Sequence, residues 1–241
     1  MERLCPWIGD GVMAVRDVVQ AAAGVGGGGE YVEDVFSTYL YTGTGSTQTI
    51  NNGIDLDGEG GLVWIKDRSN AESHSLWDTA RGVSAGLQSN ATSAQYSDAI
   101  SLTAYNSNGF SLGADTNVGW VNRSPDNYVS WSFRKAPKFF DVVTYTGTGV
   151  ARTIAHSLES TPACIFIKRT DVAGEWRIWN SNLSTPNTQL LYLNRTDAVA
   201  STSVWSTTSP TDTEFSLNNA SSNNASGGTF VAYLFASNAG G

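Results

Sequence analysis

The sequence contains few of the features that crosslink a chain or hold it in a membrane. Its 241 residues include two cysteines, Cys5 and Cys164, in unrelated segments, so no disulfide framework is indicated. No run approaches the roughly 18 consecutive apolar residues of a membrane-spanning helix. Residues 1–29 also lack the continuous apolar stretch of a signal peptide. We therefore expect no membrane insertion and, for a location outside a cell, a route other than secretion.

Charge is also scarce. Charged residues make up 15% of the chain, and the 14 Lys and Arg against 22 Asp and Glu give a net charge of −8. Nucleic-acid binding depends on clustered Lys and Arg that neutralise phosphates. The densest basic run, residues 134–138, is interpreted as a solvated hinge between modules. We expect no nucleic-acid partner.

What the sequence does contain is a long internal repeat. Tyr41-Thr42-Gly43-Thr44-Gly45 recurs as Tyr145-Thr146-Gly147-Thr148-Gly149, an offset of 104 residues. Further matches follow in the same order at offsets of 102 to 105: 63–66 with 165–168, Trp77 with Trp179, 110–112 with 215–217, and 128–133 with 230–235. Collinear matches at a nearly constant offset indicate a tandem duplication.

Both copies have the residue patterns of β-strands. Short apolar or alternating runs are separated by Gly, Asn and Ser turns, and no helical period of useful length interrupts them. Residues 128–134 alternate so that Tyr, Ser, Ser and Arg form an expected wet face and Val, Trp and Phe an expected buried face. The predicted fold is all-β: two tandem antiparallel β-sandwiches of jelly-roll type, module 1 at 30–137 and module 2 at 138–241.

Residues 1–29 differ from the repeat. The segment 12–23 is predicted to form a short helix, and the glycines of 24–29 end it as a flexible linker. Since this part has no counterpart in the repeat, we interpret it as an anchor that docks on another protein through Val15, Val18 and Val19.

Catalytic and metal-binding patterns are weak. The two histidines, His74 and His156, do not occupy equivalent repeat positions, and no Gly-x-Ser-x-Gly motif accompanies the many serines. The acids at 55–59 could hold Ca²⁺ but lack the remaining ligands of a calcium loop, so a solvated turn is favoured. Glu72, Asp78 and Glu175 are scattered candidates for glycoside hydrolysis. We expect no catalytic residues, no metal and no cofactor, and hence not an enzyme.

Aromatic residues are more informative. Trp77 and Trp179 are equivalent in the repeat and are predicted to share a core role. Trp120, Trp205 and Tyr96 have no equivalents and lie in Asn- and Ser-rich text, so we predict surface positions that stack on a glycan or contact a protein. Asn-x-Ser/Thr sequences, as at 90, 122 and 194, are interpreted as a by-product of composition.

Several phrases resemble repeat modules in tail fibre-like structural proteins of marine tailed phages, including cyanophages. They are GLVWIKDR at 61–68, LTAYNSNGFSLG at 102–113, YVSWSFRKA at 128–136, VVTYTGTG at 142–149 and FVAYLFA at 230–236. The resemblance covers about residues 30–241 and offers no catalytic motif.

The resemblance implies a virion structural protein, a tail fibre or its virion-proximal part, on the outside of the particle. Residues 1–29 would dock on tail, adaptor or portal-vertex proteins, and the modules would project outward as a spacer towards a host surface glycan. A homotrimer is expected, since fibres are commonly trimeric. A capsid decoration or head-fibre protein is the main alternative; a glycan-binding lectin and a tail-associated depolymerase are two others.

Overall fold

The computed structural model describes residues 31–114 and 120–237, and within them almost all regular structure is β. Two four-residue helices, α1 (Val32–Val35) and α2 (Ser221–Asn224), and a 3₁₀ turn at Pro186–Thr188 accompany the strands. The strands are β1 (Phe36–Thr42), β2 (Gln48–Asn51), β3 (Gly61–Asp67), β4 (Ser75–Asp78), β5 (Ala85–Gln88), β6 (Tyr96–Ser97), β7 (Leu102–Asn106), β8 (Gly109–Leu112), β9 (Asn127–Arg134), β10 (Phe140–Thr146), β11 (Arg152–Ala155), β12 (Pro162–Arg169), β13 (Arg177–Asn180), β14 (Gln189–Tyr192), β15 (Ala200–Ser201), β16 (Glu214–Leu217) and β17 (Thr229–Ala236). No helix among the described residues is long and apolar enough to cross a membrane.

Each half of the chain builds one large and one small antiparallel sheet. The first half has a six-stranded sheet in the order β1-β9-β3-β4-β5-β6 and a three-stranded sheet β2-β8-β7. The second half has β10-β17-β12-β13-β14-β15 and the pair β11-β16. In both halves the first strand pairs with the last and the second with the next to last. The predicted all-β, sandwich-type fold is confirmed.

Alternating side chains fill a core between the two sheets of each module. In module 1, Ile50 and Phe110 of the small sheet pack in one cluster with Val63 and Trp77 of the large sheet. In module 2, Trp179 packs in the corresponding cluster. Trp77 and Trp179 are 0% and 5% exposed, so the core role predicted from the repeat is confirmed.

A third core joins the modules. The large sheets pack against each other through the faces that point away from their own sandwiches. Its fully buried members are Leu62, Leu76 and Leu87 from module 1, and Phe140, Val142, Trp176, Val231 and Tyr233 from module 2. The order of layers is therefore small sheet, large sheet, large sheet, small sheet. The modules are packed back to back and do not extend away from each other.

Both faces of 128–134 are covered, and the face predicted to be wet is the one that faces the sandwich core of module 1. Ser130 and Ser132 are 0% exposed and lie on the sandwich side, where Asn52 donates a hydrogen bond of 2.8 Å to the Ser132 hydroxyl. Trp131 and Phe133 lie on the outer face and are half-buried. The prediction of a wet serine face is wrong, because hydroxyl groups that find partners can be buried at small cost.

The connection between the modules is also different from the predicted hinge. Lys135 forms an ion pair of 3.0 Å with Asp141, and Ala136 makes a β-bridge with Phe140. Lys138 adopts a φ of 60° and donates its backbone N–H to the Leu158 carbonyl over 2.6 Å. These contacts fix residues 135–138 as a tight turn.

Candidate functional site

The repeated Tyr-Thr-Gly-Thr-Gly motif is a loop held by backbone contacts. In module 1, the Tyr41 hydroxyl donates to the Val121 carbonyl over 2.6 Å. A Cβ on Gly43 would lie 2.3 Å from the Arg123 carbonyl oxygen, so only glycine fits there. Gly45 adopts a φ of +68°, which favours glycine. Module 2 reproduces the same contacts with Tyr145, Asn223, Gly147, Ala225 and Gly149.

A buried asparagine closes this loop in each module. Asn122 is 0% exposed; its side chain donates to the carbonyls of Ser46 and Gly113, and its side-chain oxygen accepts from the Thr44 N–H. Its equivalent in module 2 is Asn224, also 0% exposed. The partners of Asn224 are Val150, Asn218 and Thr148. Sequence reasoning missed this pair, although their offset of 102 residues could have revealed it.

The three aromatic residues predicted at the surface do not form one site. Trp205 is 4% exposed in the core of module 2, and its indole N–H donates to the Gln189 carbonyl over 2.9 Å, so a surface role is wrong for it. The Ser- and Thr-rich segment around Trp205 suggested an exposed position, whereas the side chain faces the sandwich interior. Tyr96 and Trp120 do meet, with ring centroids 5.3 Å apart, and both are half-buried against the core of module 1. Burial raises the pKa of Tyr96 to about 12. The anchor residues Val15, Val18 and Val19 lie outside the described residues.

The candidate acids are separated and engaged. Asp78 is fully buried in an ion pair, and Glu175 accepts from Asn194 and lies 3.7 Å from Arg195. Asp55 accepts the Gly58 N–H within its own turn. In residues 31–114 and 120–237 no group of three or more His, Cys, Asp or Glu is placed to hold a metal ion.

Asp78 belongs to a polar network that crosses between the modules. Its carboxylate pairs with Arg81 at 2.6 Å and accepts the Tyr233 hydroxyl of module 2 at 2.7 Å. Arg81 also donates to Tyr233 over 3.2 Å and to Gln95 over 3.0 Å. Burial raises the pKa of Tyr233 well above its usual range. For Arg81, burial opposes the charged form, but Tyr233 and Asp78 outweigh it and raise the pKa. The interface therefore contains a satisfied buried ion pair.

A second polar contact across the interface uses the duplicated lysine. Lys66 and Lys168 are the next-to-last residues of β3 and β12, and each donates to a carbonyl six residues further on, Glu72 or Gly174. Lys168 is 0% exposed and also donates to the Thr92 carbonyl of module 1 over 2.9 Å. Burial lowers the pKa of Lys168 to about 8. One copy of the lysine thus closes its own loop, and the other also ties the modules together.

We expect the stability of the chain to rise between about pH 8 and pH 9, because above pH 9 the Cys164 thiol, whose pKa burial raises from 9.0 to about 11, opposes the effect. Because the pKa of Lys168 falls from 10.5 to about 8 on folding, the unfolded chain binds more protons in this window. The free energy of unfolding should therefore increase by about 1 kcal/mol per pH unit. Denaturant titrations across the window measure this slope. The slope should vanish in Lys168→Met and persist in Lys66→Met; an equal slope in both variants would contradict the assignment.

A groove of about 740 Å³ lies between the modules. Its floor continues the outer face of the large sheet of module 2, where Thr144 and Thr146 of β10 and Thr229 of β17 are exposed. Module 1 contributes Arg81 and Gln95 to the lining. We call this surface the threonine groove. Hydroxyl and amide groups are suited to hydrogen bonding with a polyol.

Charge and ring orientation limit what the threonine groove can bind. Asp171 also lines it, and the hydrogen bonds from Arg169 lower the Asp171 pKa to about 2, so the carboxylate is ionised at any ordinary pH. The aromatic residues of the lining, Tyr145 and Phe230, are 9% and 1% exposed and stack on each other within module 2. Binding there would depend on hydrogen bonds more than on ring stacking.

Comparisons with known proteins give one match. A family model described as Domain of unknown function (DUF7483) matches residues 32–240, a range that includes both modules. No curated protein matches the chain, and no solved structure matches it. The paired modules, with the groove between them, are therefore the unit that the family model covers.

Proposed function

The chain belongs to the DUF7483 family of domains of unknown function, and we propose that it is a structural component of the outside of a phage particle, of the tail-fibre kind. The support comes from the phrases that resemble such proteins and from the nature of the duplicated contacts. The side chains that recur, such as Tyr41 with Tyr145 and Asn122 with Asn224, hold loops and strands in place. A duplication that preserves the contacts holding these loops favours a structural role for the chain.

The inter-module core is the observation that carries the proposal. Eight fully buried side chains and the Asp78–Arg81–Tyr233 network join the two large sheets. A component that contacts a host through many linked copies gains avidity when its geometry allows several copies to engage at once, and a rigid unit holds its contact surface in one arrangement. Back-to-back packing provides that rigidity, and it gives one thick unit in place of the spacer of separate modules that the sequence suggested.

The threonine groove is the surface that we assign to a host glycan. It replaces the predicted contact through Trp120, Trp205 and Tyr96, because Trp205 is buried and the other two are half-buried in module 1. Residues 1–29, with Val15, Val18 and Val19, remain the proposed attachment to tail or adaptor proteins. A capsid position is the alternative outcome of the same experiment.

Particles assembled with altered chains test this proposal. Deleting residues 1–29 should abolish incorporation, as measured by immunoblotting of purified particles, while the isolated modules stay folded. The double variant Thr144→Ala/Thr146→Ala should be incorporated normally but should reduce adsorption to host cells about tenfold, because two hydroxyl contacts are lost.

Thr42→Ala is the matched control, since Thr42 holds the position in module 1 that Thr146 holds in module 2. It should leave adsorption unchanged. Incorporation of the truncated chain would overturn the anchor, and unchanged adsorption of the double variant would overturn the groove. Labelling of the chain on intact particles distinguishes tail from capsid, and absence from particles would overturn the proposed function.

A further inference from the structure

The first strand of module 1 is an open sheet edge. Among the described residues, β1 has β9 as its single neighbour in the sheet. The Gly43 N–H donates to the Asp126 carbonyl over 2.8 Å, which fixes the alternation of the antiparallel ladder. Tyr39 therefore directs its N–H and C=O towards β9, whereas Thr38 and Leu40 direct theirs away from the sheet. Thr38 and Leu40 thus present two donors and two acceptors in the middle of this edge.

In module 2, charged side chains occupy the two ends of the equivalent edge strand. Asp141 accepts the outward N–H of Val142 over 2.8 Å, and Lys135 pairs with the same carboxylate. At the other end of β10, Arg152 donates to the outward carbonyl of Thr146 over 2.9 Å. Buried or neighbouring charges of this kind are a usual means of preventing edge-to-edge pairing.

Module 1 lacks these charged side chains. Ser37 stands at the position of Asp141, and Gln48 stands at the position of Arg152. Gln48 approaches the Thr42 carbonyl only at 3.4 Å. The other outer strands of the large sheets, β6 and β15, are two residues long, whereas β1 has seven residues. The repeat thus supplies an internal comparison in which one edge carries charged side chains at both ends and its equivalent does not.

The side chains along β1 suit a partner of the same kind. Residues 36–42 contain no charge, no proline and no glycine. Of the eight large apolar side chains that are exposed among the described residues, four lie within or just before β1: Tyr31, Val32, Tyr39 and Leu40. Leu40 is 59% exposed, on the same face as Trp131 and Trp64, and that face continues into the inter-module core. The surface is an extension of an interface that already exists.

We propose that β1 pairs antiparallel with β1 of a second copy of this chain, around a two-fold axis at Tyr39. This register places Thr38 of one copy opposite Leu40 of the other and satisfies the outward groups with about four backbone hydrogen bonds. The two Tyr39 side chains then lie side by side across the axis, and the two six-stranded sheets become one continuous sheet. An uncharged, self-complementary edge meets the requirement of an isologous interface, since no like charges oppose each other.

The pairing predicts an even-numbered assembly, in place of the trimer expected from the resemblance. The mass of the full chain in a dilution series, measured by analytical ultracentrifugation, should be twice 25.6 kDa at high concentration. Leu40→Lys should weaken association more than tenfold, since two lysines would lie diagonally across the axis as like charges in place of an apolar contact. Thr38→Pro should act similarly, because it removes one outward N–H without removing a bond to β9.

Thr144→Lys is the matched control, because Thr144 holds the position of Leu40 on the equivalent edge strand of module 2. It should leave the dimer intact. Circular dichroism of each variant confirms that it folds. A trimeric or monomeric parent chain, or equal dissociation of Leu40→Lys and Thr144→Lys, would overturn the proposal. Slow amide exchange at Thr38 and Leu40 in a monomer would also overturn it, since the edge would then be covered within one chain.

Discussion

Replacing Asp78 with alanine should lower the free energy of unfolding by about 3–5 kcal/mol, because the variant leaves a buried guanidinium without its carboxylate. The Arg81 side chain is 6% exposed and pairs with Asp78 at 2.6 Å. Tyr233 would lose the acceptor of its hydroxyl group at the same time. Guanidinium chloride denaturation, followed by tryptophan fluorescence, measures the change.

The repeat supplies a control for Asp78. Asn180 occupies the equivalent position in module 2 and accepts a backbone N–H from Asn182 over 2.9 Å. Asn180→Ala should cost about 1 kcal/mol or less, since no buried charge is left unpaired. Equal losses in the two variants would show that the inter-module ion pair has no special weight. An unchanged Asp78→Ala stability would contradict the structure of this network.

Replacing Trp176 with alanine should destabilise the chain by about 3–5 kcal/mol, the usual cost of removing a large buried aromatic side chain. Trp176 is 0% exposed, stacks on Tyr233 with ring centroids 6.0 Å apart, and donates its indole N–H to the Gln88 carbonyl of module 1 over 2.8 Å. Its loss opens a cavity between the large sheets. Calorimetry measures both the stability and the number of unfolding transitions.

The form of the calorimetric transition is as informative as its midpoint. In the parent chain the shared core should make the two modules unfold in one transition, whereas Trp176→Ala should separate them into two. His74 is the equivalent position in module 1, and its half-buried imidazole accepts the Trp64 indole N–H over 2.9 Å. His74→Ala should cost about 1 kcal/mol and keep a single transition. Two transitions in the parent chain would contradict a joint core.

His74 and Trp176 occupy equivalent positions, and the repeat predicts their local structure but not their burial. Both residues follow the same loop, and each donates its backbone N–H to an equivalent asparagine, Asn90 or Asn194. Their local structures were accessible from the repeat. Their different burial was not, because it depends on which part of the opposite module covers the large sheet.

The candidate site shows the same division. Trp205 has Ser and Thr as neighbours, so its sequence suggests a surface position, yet it completes the core of module 2. The threonine groove consists of residues from β10, β17 and the loops around Arg81 and Gln95, which come together only when the modules pack. No local sequence pattern indicates such a site, because it consists of ordinary exposed residues from separate segments.

The duplication, the β-strand pattern and the core positions of Trp77 and Trp179 follow from the sequence alone. Those features depend on side chains that alternate along a strand and on glycines at fixed positions in a loop, and both can be seen in the order of residues. The burial of the outer faces of the large sheets, the burial of Ser130 and the pairing of the edge strands follow only from tertiary contacts. These outcomes depend on contacts between residues far apart in the chain, such as Tyr233 with Asp78 and Lys168 with Thr92. Because an alternating strand pattern shows which side chains share a face but not what covers that face, the burial of the outer face follows from the packing of one module on the other.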